Sequence, residues 1–413
     1  MRAYRQALTV VMERRRRLGH NLAAGLANRG GRIPAKWANV LLPSTDQLQL
    51  DEFLDRLREA AALEIGFPVA FDFDYSDLFR FLSFSLNNAG DPFMPMTYLL
   101  NSHEFEQEVV AFFAGLARAP ENQWWGYVTN GSTEGNLYGL YLARELLPNG
   151  IAYFSQDSHY SVGKNLHFLN MRHIMIRSQP NGEIDYDDLA ATLRIRRDAP
   201  PIIFANIGTT MKEARDDIGR IRSILDDLAI ENRYIHCDAA LCGGYAAFLD
   251  PRPSWDFGDG ADSIAISGHK FIGSPIPCGI ALARRGHVER IGHSVAYIGS
   301  VDTTISGSRN GFTPLLLWYA IHSLGIDGLR RRIEDSLATA AYAEQRFKEI
   351  GVAAWRNPQA LTVVFPQPPP TVCDKWQLAT AGGHSHIICM PHVRREQIDE
   401  LIADIERAGG AGP

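Results

Sequence analysis

A lysine among small residues at the end of an apolar run is a candidate nucleophile, and Ser267-Gly268-His269-Lys270, following Ser263-Ile264-Ala265-Ile266, is such a place. An apolar approach lowers an amine's pKa and leaves part of it uncharged, able to condense with an aldehyde. Taken alone, a solvated lysine beside a turn is the simpler explanation. Asp238 closes a second apolar run, Tyr234-Ile235-His236-Cys237, and precedes Ala239-Ala240. A carboxylate there is costly to bury unless a cation faces it, although a helix N-cap would also explain it. The stretch Thr129-Asn130-Gly131-Ser132-Thr133-Glu134-Gly135-Asn136 opens an amphipathic run through Leu137, Leu140, Tyr141 and Leu147. Hydroxyls and small residues at a helix start offer donors and the positive dipole end to a phosphate. No Gly-Lys-Ser/Thr follows, so this is not a nucleotide P-loop, and read alone it is an ordinary capped helix. His159, in Asp157-Ser158-His159-Tyr160-Ser161, could stack on a flat cofactor or simply sit in a surface loop.

These residues need elements to hold them. Between about residues 125 and 285, short β-branched runs alternate with helical stretches, with Ile202-Ile203-Phe204-Ala205-Asn206, Tyr234 to Cys237 and Ser263 to Ile266 as buried strands. Such alternation predicts an α/β fold around a mostly parallel sheet. Each run ends in a polar cluster: Gly208-Thr209-Thr210, Asp238, and Ser267 to Lys270. Ligands bind beyond the carboxyl ends of strands in open α/β sheets, so the three clusters point at one site. Pro314 to about Ile350 reads as helical, and Leu361 to Phe365 with Ile387 to Met390 as strands of a smaller α+β C-terminal domain. The expected division is a basic tail (1–33), an N-terminal segment (34–100), a large domain (101–310) and a small domain (311–413).

Composition narrows the partners. The chain has 413 residues, 46% hydrophobic and 21% charged, with a formal net charge of -6. It lacks the clustered basic excess that nucleic acid or an anionic membrane surface would require. A small molecule is the expected partner. Five scattered cysteines without a CxxC pair predict reduced thiols. With no apolar window long enough to span a bilayer and no cleavable leader, the chain is expected in the cytoplasm. The Arg14 to Arg17 run reads as a solvated tail, with an organelle-targeting peptide as the alternative.

A protonated pyridine nitrogen is the kind of cation Asp238 needs. Pyridoxal 5'-phosphate (PLP), held by a lysine with an acid on its ring nitrogen, would supply one. In order and spacing the chain resembles the group II PLP-dependent amino-acid decarboxylases, a fold type I (aspartate aminotransferase-like) family, and within it most nearly the bacterial histidine decarboxylases and related plant serine decarboxylases. The matching stretches run from about Phe67 to Met390 and include Phe71 to Tyr75, Tyr98 to Ser102, Gly126 to Asn136, Ser178 to Tyr186, Phe204 to Thr210, His236 to Ala240, Ser267 to Gly279 and Gly307 to Gly311. The resemblance implies that Lys270 binds the cofactor aldehyde, Asp238 faces its ring nitrogen and His159 stacks on the ring. It places Ala240 beneath the ring, Ser132, Thr133, Ser267 and His269 at the cofactor, with Ser132, Thr133 and His269 toward its phosphate, and Thr210 near the substrate carboxylate. Tyr297, on a mobile loop crossing a dimer interface, is the candidate for reprotonating the product. A homodimer is expected, both from the family and from the aromatic N-terminal region (Phe67, Phe71, Phe73, Tyr75, Phe79, Phe81).

The implied reaction is decarboxylation of an L-amino acid to its amine, with L-histidine to histamine first and serine, methionine or valine next. Another PLP reaction on the same scaffold, aldehyde-forming oxidative decarboxylation or transamination, and a silent homologue are the rival readings. Imidazole recognition needs a polar partner, for which His103, Ser102 and the backbone near Asp91 are candidates. His384, His386, Cys389 and His392 resemble metal ligands, but strand alternation puts His384 and His386 on one face and Cys389 on the other, so no metal is expected. Trp124-Trp125 reads as core or interface packing.

Overall fold

The computed structural model describes residues 42–295 and 300–409, so Tyr297 and the arginine run Arg14 to Arg17 lie outside the described residues. Helix α1 (Ser44–Leu63) comes first, and an aromatic-rich segment with a 3-10 turn at Ser76–Ser83 leads to α2 (His103–Leu116). Strands and helices then alternate: β1 (Trp124–Thr129), α3 (Ser132–Leu146), β2 (Ile151–Ser155), α4 (Ser161–Phe168), β3 (His173–Ile176), α5 (Tyr186–Ile195), β4 (Pro201–Asn206), α6 (Ile218–Asp227), β5 (Tyr234–Asp238), β6 (Ser263–Ser267) and β7 (Gly279–Arg284). They form a seven-stranded sheet in the order β1-β7-β6-β5-β4-β2-β3. Only β7 runs against its neighbours, and every other adjacent pair is parallel.

Every residue of β2, β4, β5 and β6 is buried. That is why these strands read as continuous apolar runs rather than alternating ones: a parallel sheet is covered on both faces. Two of the flanking helices start on sequence-encoded caps, Asp185 accepting the N–H groups of Asp187 and Asp188 at α5, and Asp217 that of Arg220 at α6. All the parallel strands but β3 share one further property. β1, β2, β4, β5 and β6 end in Thr129, Ser155, Asn206, Asp238 and Ser267, so one edge of a hydrophobic sheet is lined with polar groups.

Beyond the sheet come α7 (Arg285–Val288) and the strands β8 (His293–Val295) and β9 (Ser300–Asp302), then the long α8 (Phe312–Glu349), broken at Gly325 where φ is 62°. The small antiparallel sheet holds β10 (Thr362–Pro366), β11 (Thr380–Ala381) and β12 (His384–Ile388) in the order β10-β12-β11, with α9 (Pro370–Lys375) and α10 (Arg395–Gly409) beside it. Strand β12 begins three residues before the apolar run Ile387 to Met390, because His384-Ser385-His386 pairs with Val364-Phe365-Pro366. Past the strand's end Cys389 N still donates to Leu361 O at 2.9 Å, whereas Met390 N folds back on Ile388 O at 2.7 Å.

The small sheet is tied to the loop after β4. Buried Glu213 accepts from Leu361 N (2.9 Å), Thr362 N (2.8 Å) and Thr362 Oγ1 (2.7 Å). His386 Nδ1 and Nε2 lie 3.0 Å from Met211 O and 3.1 Å from Gly66 O. His392 Nε2 meets Glu64 O instead, and His384 Nδ1 meets Gly382 O, so these imidazoles serve separate backbone contacts. Trp125 is core, donating to Asp91 Oδ2 at 3.0 Å, while Trp124 packs edge-on against Phe93. No helix among the described residues is long and apolar enough to cross a membrane.

Candidate active site

The polar strand ends open into a cavity of about 440 Å³. Its walls include Ser132 and Thr133 from the start of α3, His159 after β2, Thr210 after β4, Asp238 and Ala240 at the end of β5, and Ser267, His269 and Lys270 at the end of β6. The structure thus brings together the residues nominated to act on or hold the cofactor, except Tyr297, which lies outside the described residues. Convergence follows from sheet order: β4, β5 and β6 are consecutive neighbours, with Asn206 opposite Asp238 and Asp238 opposite Ala265.

Lys270 is half-buried in the cavity wall. Burial lowers its pKa, against the opposing pull of Asp238, which favours the uncharged nucleophilic form. Asp238 is buried, and its two oxygens are held separately: Oδ2 accepts from Asn136 Nδ2 at 2.8 Å, and Oδ1 from Ala240 N at 3.1 Å. The Ala240 contact is a local turn, not a helix cap.

His159 is held by its neighbour. Its Nδ1 accepts from Ser161 N at 3.3 Å and lies 2.8 Å from Ser161 Oγ, so the ring proton resides on Nε2. Burial also pulls this imidazole below its ordinary range, keeping it neutral. At the opposite wall Ser132 Oγ and Ser267 Oγ are 2.7 Å apart, joining the start of α3 to the end of β6. Gly131, with φ of 144°, makes the turn into α3. Gly279 lets that turn approach, since a Cβ on it would meet Thr129 Oγ1 at 2.8 Å and Gly131 C at 2.9 Å. His269 Nδ1 lies 2.8 Å from Cys278 O, which orients its ring.

These residues fit PLP. A lysine with a lowered pKa suits the aldehyde, a buried carboxylate without an ion pair among the described residues suits a protonated ring nitrogen, and the hydroxyl-bearing start of a 15-residue helix suits the phosphate.

Sequence reasoning passed over Asn136, Ser161 and Asn206, which also line the cavity. Asn206 Nδ2 donates to Ser155 Oγ (3.0 Å) and Ser158 Oγ (3.1 Å), bracing the strand ends behind His159. The usable signal was that each of Ser155, Asn206 and Asp238 is the polar last residue of an apolar run. The nominated imidazole partners, in contrast, lie away from the cavity of this chain. Asp91 accepts from Trp125, Thr303 and Phe93, Ser102 Oγ donates to Gly311 O at 2.6 Å, and His103 is buried near Glu106, Arg309 and Asp91. None of the three lines the cavity. They belong to a polar cluster anchoring α2, in which Glu106 pairs with Arg309.

Comparison with known proteins adds an independent line. The family model described as the pyridoxal-dependent decarboxylase conserved domain matches residues 101–352. The histidine decarboxylase of Mesorhizobium japonicum is 53% identical over 365 residues, covering 88% of this chain and 99% of that one. The histidine decarboxylase of Morganella morganii is 49% identical over 369 residues, covering 89% and 98%. Among solved structures, the L-methionine decarboxylase of Streptomyces sp. 590 superposes with a TM-score of 0.81 at 28% identity, covering 90% of this chain and 98% of that one.

Proposed function

Because the chain belongs to the pyridoxal-dependent decarboxylases, a PLP-dependent carboxy-lyase family, we propose that its substrate is L-histidine and its product histamine. The observation that carries this substrate is identity of 53% and 49% with histidine decarboxylases over nearly the whole of each chain.

PLP, when bound, supplies an electron sink for the pair left behind as CO2 departs. The chain's own residues do the rest. Lys270 holds the cofactor aldehyde through an amine that burial keeps closer to its uncharged form. Asp238 sets a negative charge beside the ring nitrogen and so holds the proton there. Ser132, Thr133, Ser267 and His269 surround the phosphate end, where the N-terminus of α3 adds unpaired backbone donors. Ala240 leaves room beneath the ring. His159 would stack a neutral ring on the cofactor and shape the substrate side, and Thr210 would stand beside the substrate carboxylate. For the proton returned to Cα we assign Tyr297, in the connection between β8 and β9.

A homodimer is part of the proposal. Helix α1 buries none of its residues against the chain, and Leu48, Phe53 and Leu57 on it are 59%, 48% and 48% exposed. A second copy would cover such a surface. Five free, buried cysteines support a reducing, cytoplasmic setting.

The decisive assay compares kcat/KM for histidine, methionine, serine and valine with PLP present, measuring amine and CO2 together. Histidine should lead by at least about tenfold, the discrimination available when a buried polar partner is satisfied only by the right side chain. A higher value for methionine, serine or valine would make histidine the wrong substrate and leave the decarboxylase family intact.

A further inference from the structure

We infer that Asn136 and His236 are positioning residues, links of a directional hydrogen-bond chain from Ser263 that fixes the Asp238 carboxylate toward the cavity; this rests on the role proposed above for Asp238.

A carboxylate only accepts, so Asn136 must turn its NH2 to Asp238 Oδ2, 2.8 Å away. Its own Oδ1 is then left facing His236 Nε2 at 2.9 Å, and that nitrogen must carry the imidazole proton. His236 Nδ1, left as an acceptor, lies 2.7 Å from Ser263 Oγ, which donates. The direction of every bond follows from the carboxylate at the end. If His236 could not donate, the amide would be free to turn over and would set a carbonyl oxygen against Asp238. Burial alone pushes His236 down to about 3, so the ring stays neutral and keeps this one tautomer across the working pH range.

The backbone has made room for the chain. His236 and Asp238 alternate onto one face of β5, and Asn136 and Gly139, three apart, share one face of α3. A Cβ on Gly139 would stand 2.1 Å from His236 Nδ1 and 2.8 Å from Ser263 Oγ. Only a glycine there lets the helix lie against the imidazole. Asn136 lines the cavity, while His236 and Ser263 stand behind it, out of reach of a ligand.

The test compares Asn136→Leu, His236→Leu, His236→Gln and Asp238→Asn by PLP dissociation constant, kcat and KM, together with 15N spectra of histidine-labelled wild-type apo protein. Asn136→Leu and His236→Leu should each weaken PLP binding and lower kcat by about tenfold or more, as loss of a hydrogen bond to a charged group does, with KM little changed. His236→Gln, whose side-chain N–H can reach Asn136 Oδ1, should recover to within about threefold of wild type on the same scale. The His236 signal, identified by its loss in His236→Gln, should be that of the Nε2–H tautomer. Asp238→Asn should lose rate most heavily. A full loss in Asp238→Asn with unchanged Asn136→Leu and His236→Leu overturns the positioning chain alone. So does a His236→Gln as impaired as His236→Leu, or an Nδ1–H tautomer, which is read on the native chain even where a variant fails to fold. Wild-type behaviour of Asp238→Asn overturns the role of Asp238 itself.

Discussion

Single residues at this site are defined by what they are kept from doing. His236 is kept from protonating: in an unfolded chain it takes up a proton near its ordinary 6.5, but in the fold burial delays this to about 3. Native stability from this residue is therefore complete above pH 6.5. It is lost as pH falls, because between those two values the unfolded state binds a proton that the native state refuses. The loss amounts to about 1.4 kcal/mol per pH unit. Urea unfolding of apo wild type and apo His236→Gln at pH 7, 6 and 5 should show the wild type falling more steeply by about that amount per unit below pH 6. Parallel pH profiles would mean that the native imidazole takes its proton as readily as the unfolded one. Lys270 and Asp238 were legible from sequence because each ends an apolar run with a group that burial penalises. Asn136 and His236 were not: an amide in a helix and a histidine in a strand look like ordinary lining until the helix is laid on the sheet.

At the scale of elements, α3 carries two burdens, a start built from hydroxyls and a glycine face that lets it approach β5 and β6. Gly135 would put a Cβ 2.9 Å from Ala265 Cβ, and Gly139 would drive one into His236. Alanine favours a helix by about 1 kcal/mol over glycine, but overpacking costs about 1 to 3. Gly139→Ala should therefore lower the thermal midpoint, whereas Gly115→Ala in α2, where an added methyl meets nothing within 4 Å, should leave it unchanged or raise it. A rise in both would mean that α3 does not press on the imidazole. The order of the parallel strands follows from alternation of apolar runs and helices, and so did the sequence expectation of a mostly parallel sheet. The reversal of β7 was hidden, because Gly279 to Arg284 is as apolar as its neighbours and burial on both faces erases direction. The nominated imidazole partners Ser102, His103 and the backbone near Asp91 fall outside this chain's cavity for a related reason. Nearness in sequence to a matched stretch does not place a residue at the site: Asp91 accepts from Trp125 and Thr303, Ser102 donates to Gly311 O, and His103 is buried near Glu106 and Arg309.

The whole molecule places its reactive groups where one large sheet ends and, among the described residues, leaves apolar side chains of its N-terminal segment exposed. Tyr75 packs into the chain's own core beside Phe73 and Tyr319, while Phe67, Phe71 and Phe79 stay 50%, 48% and 61% exposed. Sedimentation at assay concentration should therefore give twice the chain mass, and replacing Phe53 and Leu57 by serine should shift the protein toward monomer with loss of activity. A fully active wild-type monomer would remove the need for a second copy. The central claim, that the strand-end lysine carries the cofactor opposite a buried acid, is reached most directly by trapping. Holoenzyme reduced with borohydride, digested and mapped by mass spectrometry should carry one pyridoxyl group, on Lys270, and Lys270→Ala should carry none. A pyridoxyl group on another lysine, or an unlabelled Lys270 in active enzyme, would contradict the account.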